Sequence, residues 1–266
     1  MSEARAYRKL IVGTAGKVTT LTLNNPERRN AIGPEMINEL RWALADADAD
    51  AGVSVVVITG AGKAFCAGAD FAAMSAGGED GGLAPFDGDG GDYAKLLSTL
   101  CSYGKPVVAK VNGHAMGGGL GIVAACTLAL GSTSAQLGTP EIDVGLWPMM
   151  IMAVLARLVP RRRLVQMMVL GERIEAHEAA EIGLLNEVAP PEDLDARVDT
   201  LVARLAGKAP LAMRRGLGAL HAQDQLKLEE ALPLLRAELG VLLGTDDARE
   251  GLMAFMQKRP PVWTGK

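Results

Sequence analysis

Three consecutive glycines at residues 117–119 are the first feature of this chain that suggests chemistry. They follow a predicted buried strand (106–111) and a predicted loop (112–116), and they precede an apolar run predicted as a helix (120–126). The start of a helix presents free N–H groups and the positive end of the helix dipole, so it can bind an anion or a developing oxyanion. The alternative is that the glycines serve only tight helix packing or a flexible turn.

A second pattern in the same stretch, Gly119-Leu-Gly121-Ile-Val-Ala124, fits the GxGxxA fingerprint of a dinucleotide-binding fold. Glu141 follows Gly121 by 20 residues, where such a fold places its ribose-binding acid. The fingerprint should come directly after its strand, whereas seven residues separate Val111 from Gly119. An NAD-dependent oxidoreductase therefore stays only a minor alternative.

Other catalytic and metal-binding motifs are absent or lack a residue that they require. His177-Glu-Ala-Ala-Glu181 has a glutamate where the zinc-binding HExxH motif needs its second histidine. The sequence contains neither a P-loop nor a GxSxG nucleophile elbow. The segment 72–92, rich in Gly and Asp, lacks the spacing of a calcium loop. We therefore predict no metal site and expect a long loop at 72–92.

Strands and helices alternate over the first two thirds of the chain, and these elements must position the glycines. The strongest strand patterns are 17–23, which alternates, and 53–59, which is apolar throughout as in a sheet buried on both faces. Further predicted elements are helices at 34–50 and 93–102, after residue 148, from residue 161 and at 176–181, and strands near 127–131 and 185–188. The C-terminal helices are predicted at 191–207, 209–222, 228–243 and 246–257. This order predicts an α/β core over residues 1–190 and a helical segment over residues 191–266.

Composition limits the classes of function. The 266 residues have a net charge of −4 and are 49% hydrophobic and 4% aromatic, so the chain is globular and not built to bind nucleic acid. Cys66, Cys101 and Cys126 are far apart and form no CxxC pair, so reduced thiols are expected. The N-terminus lacks the apolar core of a secretory signal, and no uncharged apolar run reaches 18 residues. We therefore predict a cytoplasmic protein without a membrane segment.

Three separated segments together resemble the crotonase family, that is, enoyl-CoA hydratases and isomerases. They are Ala64-Phe-Cys-Ala-Gly-Ala-Asp70, Asn112-Gly-His-Ala-Met-Gly-Gly-Gly119 and Gly138-Thr-Pro-Glu-Ile-Asp-Val-Gly145. The likeness continues in segments 25–31, 171–185 and 247–259, so it covers nearly the whole chain in the family's order. The resemblance implies an α/β spiral of ββα units. It also implies a C-terminal helical segment through which homotrimers, or hexamers built as dimers of trimers, assemble.

The resemblance further implies an acyl-CoA substrate whose thioester carbonyl lies in an oxyanion hole. In the family this hole consists of two backbone N–H groups, which here belong to Ala69 and Gly118. Preorganised donors stabilise the enolate-like oxyanion, and loss of one donor costs about 3–4 kcal/mol in known enzymes. Glu141 maps onto the family's acid–base glutamate, which works best in an apolar pocket that raises its pKa. Ala69, Gly118 and Glu141 are therefore the expected catalytic groups.

The chain departs from the family hydratases at Gly121. They carry a second glutamate at this position, and glycine has no side chain to replace it. Candidate substitutes are Asp70, Asp143 and an acid within 72–92, although a solvated or capping role is the simpler interpretation of Asp143. A further departure is the bulky run Met149-Met-Ile-Met152, whose methionines either fill the core or line an acyl pocket.

These residues leave three functions open. We name enoyl-CoA hydratase first because relatives with this overall pattern carry that activity. An enoyl-CoA isomerase, which shuttles one proton along the enoyl chain, fits a single carboxylate at least as well. The alternative of another class is a protein that binds CoA esters without converting them.

By the same analogy the adenine of CoA is expected along residues 63–69. Coenzyme A is part of the substrate, so no separate cofactor is predicted. Arg28 and Lys63 are candidates for the CoA phosphates, and Lys258 of a neighbouring subunit is expected to join them. The full set of expected CoA contacts is Arg28, Lys63, Ala64, Ala67, Ala69, Asp70, Gly118 and Lys258.

Overall fold

The structure, a computed structural model, describes residues 6–70 and 91–266. Residues 72–90 of the predicted loop lie outside the described residues, and so does any acid they carry. In the described part of the chain, no helix is long and apolar enough to cross a membrane.

Two β-sheets form the core of the molecule. The larger sheet has the order β1-β2-β3-β5-β7-β10, in which β1 and β2 are antiparallel and the other neighbours are parallel. The smaller sheet has the order β4-β6-β8-β9, in which only β9 is antiparallel to its neighbour. The strands are β1 Leu10–Ala15, β2 Val18–Leu23, β3 Val55–Gly60, β4 Ala64–Cys66, β5 Val107–Val111, β6 His114–Met116, β7 Leu128–Ser132, β8 Gln136–Gly138, β9 Arg173–Glu175 and β10 Glu187–Ala189.

Helices connect the strands and form the C-terminal part. Among the described residues, two short 3-10 helices, Pro26–Arg28 and Pro140–Val144, lie in loops. The described α-helices are α1 Pro34–Ala49, α2 Tyr93–Cys101, α3 Gly118–Ala125, α4 Met149–Leu155, α5 Arg161–Leu170, α6 Ala176–Glu181, α7 Leu194–Ala206, α8 Pro210–Gln223, α9 Leu228–Leu243 and α10 Asp246–Met256.

Successive strand pairs repeat one pattern. In β3–β4, β5–β6 and β7–β8, the first strand joins the larger sheet, the second joins the smaller sheet, and a helical segment follows. This repetition is the spiral of ββα units that the resemblance implies, and the predicted α/β fold class is confirmed.

Strand β3 shows why the larger sheet is covered on both faces. All six of its residues are buried, and alternate side chains enter different apolar clusters. Val56 and Ile58 face the main core, whereas Val55 and Val57 face a second cluster. The period of two in a strand makes this division possible, and a continuous apolar run is its sequence signature.

Helix α7 covers the second face of the larger sheet. Leu194, Val198 and Val202, spaced by four residues, point into the same cluster as Val55 and Val57. The predicted boundary after residue 190 stays a prediction, although α7 packs directly on the sheet. Helix α8 is tied to the end of α1 by an ion pair between Arg214 and Asp48 at 2.5 Å.

Several predicted elements need correction at their ends. The segment 112–116 is not a loop throughout, because its last three residues form β6 beside β4 and β8. The strand signal needs about four residues or more, so a three-residue strand flanked by glycines escapes it. The helix predicted from residue 120 begins at Gly118. The strands predicted from residues 53 and 185 begin at Val55 and Glu187.

Candidate active site

Three parallel strands of the smaller sheet end at one edge, and the expected catalytic groups follow them. Strands β4, β6 and β8 are adjacent and parallel, so their carboxyl ends lie together. Ala69 follows β4, Gly118 follows β6, and Glu141 follows β8, each by two or three residues. The topology therefore brings these three residues to the same side of the sheet, where α/β folds commonly bind ligands.

The N–H group of Ala69 is directed away from Ile32 by the way its neighbours bond to that residue. The Ile32 N–H donates to the Gly68 carbonyl at 2.7 Å, and the Asp70 N–H donates to the Ile32 carbonyl at 2.8 Å. Ala69 lies between them in a parallel bridge to Ile32. Because the flanking peptide groups face Ile32, the Ala69 N–H faces the opposite side.

The N–H group of Gly118 opens helix α3. A first-turn N–H has no acceptor within its own helix, so it is available to a ligand. The preceding Gly117 is fixed by donation from its N–H to the Gly138 carbonyl at 2.9 Å. Its backbone angles, φ 50° and ψ −121°, lie in a region open essentially to glycine alone.

The two backbone segments that carry these N–H groups are in contact. A Cβ on Gly117 would lie 3.8 Å from the Gly68 Cα atom, so the residues preceding Ala69 and Gly118 are in contact. A Cβ on Gly119 would lie 2.6 Å from the Cys66 carbonyl oxygen. Both interpretations of the glycines therefore apply to this turn: they permit tight packing, and one of them presents an N–H group at the start of a helix.

The Glu141 carboxylate lies against the same turn. A Cβ on Gly117 would be 2.8 Å from Glu141 Oε1, so the carboxylate is beside the peptide that carries the Gly118 N–H. Glu141 Oε2 is buried, and no donor within residues 6–70 and 91–266 reaches it. Burial raises the pKa of Glu141 above its ordinary value, and the backbone N–H of the same residue only partly opposes this effect. The site thus combines a proton-accepting group with two N–H donors.

The pH dependence of activity should reflect this raised pKa. A base must be ionised, so kcat/KM is expected to rise with pH through a single ionisation above the ordinary glutamate pKa. The measurement is kcat/KM for an enoyl-CoA over a pH series in buffers of constant ionic strength. Activity that is constant down to the ordinary glutamate pKa would contradict this assignment.

The position of Gly121 is already filled by other side chains. A Cβ on Gly121 would lie 2.4 Å from the Tyr93 hydroxyl and 2.4 Å from Ile151 Cγ2. Tyr93 is the first residue of α2, and its hydroxyl donates to the Gly118 carbonyl at 2.5 Å. Burial, followed by the charges of Cys66 and Glu141, raises the pKa of Tyr93 well above its ordinary value. The phenol is therefore neutral and lies where a second carboxylate would begin.

The candidate substitutes for that carboxylate point elsewhere. Asp70 is buried and forms an ion pair with Arg28 at 2.9 Å. Asp143 is exposed, and its carboxylate lies about 3 Å from where a Cβ on Gly171 would be. The 3-10 helix turns Asp143 away from Glu141, which an extended segment would not have done.

One methionine of the run after β8 packs against the core, as one of its two interpretations supposed: Met152 is partly buried there. Met149 is 65% and Met150 50% exposed, whereas Ile151 between Met150 and Met152 is buried. Ile151 is the residue of this run that contacts the position of Gly121. Its branched side chain therefore closes this wall of the site.

The expected CoA-binding residues lie on both sides of β4. Lys63 and Ala67 are exposed, Ala64 is buried in β4, and Ala69 is partly exposed. Arg28 is half exposed beside Asp70, so its charge is partly balanced within the chain. Lys258 is exposed after the end of α10 and has a positive φ of 55°. Their contacts with CoA stay predictions.

Tyr93 is a residue of this site that no sequence motif identifies. Only its place at the start of a predicted helix was visible. Asp92 caps that helix by accepting from the Lys95 N–H at 3.1 Å, which sets where the first turn begins. A tyrosine close behind a capping aspartate was the one local signal, and it carries no information about its tertiary contact with Gly118.

Comparison with known proteins gives a consistent result. A sequence model of the family described as enoyl-CoA hydratase/isomerase matches residues 13–266. A 2,3-dehydroadipyl-CoA hydratase of Escherichia coli (strain K12) is 33% identical, with 97% of this chain and 99% of that protein covered. A crotonyl-CoA hydratase of Syntrophomonas wolfei is 31% identical, with 98% and 100% covered. The crystal structure of an enoyl-CoA hydratase of Mycobacterium smegmatis superimposes with a TM-score of 0.89 at 30% identity, with 96% and 99% covered.

Proposed function

The chain belongs to the enoyl-CoA hydratase/isomerase family, and from this premise we propose that it is an enoyl-CoA hydratase with one acid–base glutamate, Glu141. The Glu141 carboxylate beside the Gly117–Gly118 peptide is the observation that carries the proposal. Proton transfer at the carbon atoms next to a thioester requires a base close to an N–H group that binds the oxyanion.

In this proposal the Ala69 and Gly118 N–H groups bind the thioester oxygen of a 2-enoyl-CoA. Water adds to C3 while Glu141 takes a water proton, and the π electrons move onto the thioester oxygen. Glu141 then gives that proton to C2, and the enolate electrons return to form the C2–H bond. The product is a 3-hydroxyacyl-CoA, and no other reactant is needed.

The relatives support hydration of an acyl-CoA but differ in acyl group. One is named for crotonyl-CoA, whose acyl group is short and unbranched, and another for 2,3-dehydroadipyl-CoA, whose acyl group ends in a free carboxylate. We therefore propose the CoA thioester and the conjugated double bond as the recognised features. Arg28, Lys63 and a neighbouring subunit's Lys258 are the proposed contacts with the CoA phosphates.

Enoyl-CoA isomerase is the second candidate, and Gly121 favours it. A proton shuttle needs one carboxylate, which takes a proton from C2 of a 3-enoyl-CoA and returns it to C4. The position of a second carboxylate is filled by Tyr93 and Ile151, so this chain has no acid there. The same oxyanion-binding groups and the same glutamate would serve this reaction.

Two substrates distinguish these candidates. We expect crotonyl-CoA to lose its conjugated enoyl absorbance as it is hydrated. A 3-enoyl-CoA should gain that absorbance if the protein is an isomerase. Conversion of the 3-enoyl-CoA alone would overturn the hydratase proposal. Binding of both esters in a calorimeter with no conversion of either would favour the non-catalytic alternative.

We also propose that the chain forms a homotrimer, or a hexamer of two trimers, through its C-terminal helices. Helix α10 leaves large apolar side chains in solvent, including Phe255 at 83%, Met256 at 73% and Leu252 at 62% exposure. An apolar surface of this kind on one chain is typical of an interface. Identical chains usually bury such a surface in closed symmetric assemblies.

Aspartate in place of Phe255 should therefore weaken the assembly, because it would place a charge in an apolar contact. Light scattering after size exclusion should give three or six times the chain mass for wild type and a smaller mass for the variant. Ile11→Asp is the matched control, because Ile11 is an exposed apolar residue of β1 outside the C-terminal segment. An unchanged mass for Phe255→Asp would contradict an interface at α10.

A further inference from the structure

We propose that Tyr93 takes the place of the second carboxylate and that its phenolic oxygen holds the attacking water for Glu141. This inference rests on the proposed hydratase function. It makes Tyr93 a catalytic residue in the sense that it touches a reacting molecule, and it explains how one carboxylate suffices for hydration.

The hydroxyl of Tyr93 lies where the missing side chain would begin. A Cβ on Gly121 would be 2.4 Å from this hydroxyl, and a Cβ on Gly118 would be 3.5 Å from it. The hydroxyl therefore lies beside the first turn of α3, and this turn also carries the Gly118 N–H. Glu141 borders the preceding residue, Gly117, so the phenol and the carboxylate lie beside adjoining residues of one turn.

The direction of the Tyr93 hydrogen bond determines what the phenol can offer. Its one proton is donated to the Gly118 carbonyl at 2.5 Å. A phenol also has acceptor lone pairs, and these remain for another donor. Water is a suitable donor, because it can give one hydrogen to the Tyr93 oxygen and the other to Glu141. That geometry leaves the water oxygen directed at C3 of the substrate.

The charge state of the site fits a phenol better than a second carboxylate in this pocket. Burial, Cys66 and Glu141 all raise the pKa of Tyr93 well above its ordinary value, so the phenol is neutral at neutral pH. Two carboxylates sharing a buried site would repel, and one would then be protonated. The phenol of Tyr93 is a neutral acceptor, so it does not repel the ionised Glu141 carboxylate.

Bond changes in the proposed step leave the phenol intact. The water O–H bond to Glu141 breaks, the C3–O bond forms, and the enolate oxygen takes the π electrons. The remaining hydrogen bond from water to Tyr93 becomes one from the new C3 hydroxyl. Tyr93 neither gains nor loses a proton, so it orients water and does not act as the acid or the base.

The test separates hydration from proton transfer at C2. Exchange of the C2 hydrogens of butyryl-CoA with deuterium from solvent needs Glu141 and the oxyanion-binding groups but no oriented water. Tyr93→Phe is expected to lower kcat for crotonyl-CoA hydration by about 10²-fold, as misplacement of a reactant commonly does. The exchange rate and the KM for crotonyl-CoA should stay near the wild-type values.

Tyr103→Phe is the matched control, because the Tyr103 hydroxyl also donates to a backbone carbonyl, that of Leu44, at 2.5 Å. It lies beyond the other end of α2 from Tyr93, so its loss should affect stability without affecting hydration. Hydration by Tyr93→Phe at the rate of Tyr103→Phe would overturn the inference. Equal loss of hydration and exchange in Tyr93→Phe would also overturn it, because Tyr93 would then support the whole pocket.

Wild-type protein tells the two proposals apart. If wild type hydrates crotonyl-CoA, the ratio of hydration to exchange in Tyr93→Phe decides the role of Tyr93. If wild type exchanges the C2 hydrogens of butyryl-CoA but hydrates nothing, the hydratase proposal is wrong, and the water-holding role of Tyr93 is wrong with it.

Discussion

Glutamine in place of Glu141 is expected to lower kcat for crotonyl-CoA hydration by about 10²–10⁴-fold, the usual contribution of a positioned general acid or base. Glutamine keeps the size and the shape of the side chain beside Gly117 but cannot take a proton from water. KM should change little, since the Ala69 and Gly118 N–H groups and the CoA contacts remain. Steady-state kinetics on purified protein gives both parameters.

The same substitution should not lower the stability of the fold. Burial raises the pKa of Glu141 in the folded protein, so its contribution to stability is complete below the unfolded pKa and is lost as pH rises through the folded pKa. Once the carboxylate ionises, the wild type holds a buried charge whose Oε2 atom receives no donor from the described residues. The thermal midpoint of Glu141→Gln should equal or exceed that of wild type, and its excess should be larger at neutral pH than in mildly acidic buffer.

Asp143→Asn is the matched control for Glu141→Gln. Asp143 lies two residues further along the same 3-10 helix, and its carboxylate is directed to Gly171 and not to Gly117. This variant should hydrate crotonyl-CoA at the wild-type rate. Full activity in Glu141→Gln, or loss of activity in Asp143→Asn, would mean that the wrong acid has been assigned.

The positions of Ala69, Gly118 and Glu141 could be anticipated because their constraints are local. Each follows a short strand of the smaller sheet within a few residues, and the turn types demand particular residues. Gly117 is an example, since its φ of 50° and the carboxylate beside it both require glycine. Constraints of this kind act on adjacent residues, so a matching sequence motif is enough to predict them.

The surroundings of Gly121 could not be anticipated because they depend on packing between distant elements. Tyr93 reaches Gly118 only because α2 packs across α3, and Ile151 arrives from α4. The apolar spacing of α2 accounts for the burial of Leu96 and Leu100. It does not predict which neighbour a hydroxyl in the first turn will meet.

The orientation of Asp143 shows the same limit at a smaller scale. Its spacing from Glu141 allowed either a shared direction or a divergent one, and the choice depended on the local backbone. Pro140 begins a 3-10 helix there, which separates the two carboxylates. A single turn of backbone thus leaves Glu141 without a second acid from its own segment.

Glutamate in place of Gly121 is expected to lower both stability and hydration, although it supplies the carboxylate that family hydratases have there. Its Cβ would lie 2.4 Å from the Tyr93 hydroxyl and from Ile151 Cγ2, well inside van der Waals contact. Overpacking of a core costs about 1–3 kcal/mol, and the buried charge adds to this cost. Displacement of Tyr93 would also break its hydrogen bond to the Gly118 carbonyl and move the phenolic oxygen from the place where it is proposed to hold water.

Gly216→Glu is the matched control, because Gly216 lies within α8 and a Cβ there would meet nothing within 4 Å. Glycine costs a helix interior roughly 0.5–1 kcal/mol relative to alanine, so this variant should be as stable as wild type or more stable. Thermal unfolding and crotonyl-CoA hydration should be measured for both variants. Hydration by Gly121→Glu above the wild-type rate would show that Tyr93 and Ile151 can yield to a second carboxylate. A rate below wild type would indicate that this pocket is built around a single carboxylate and a phenol.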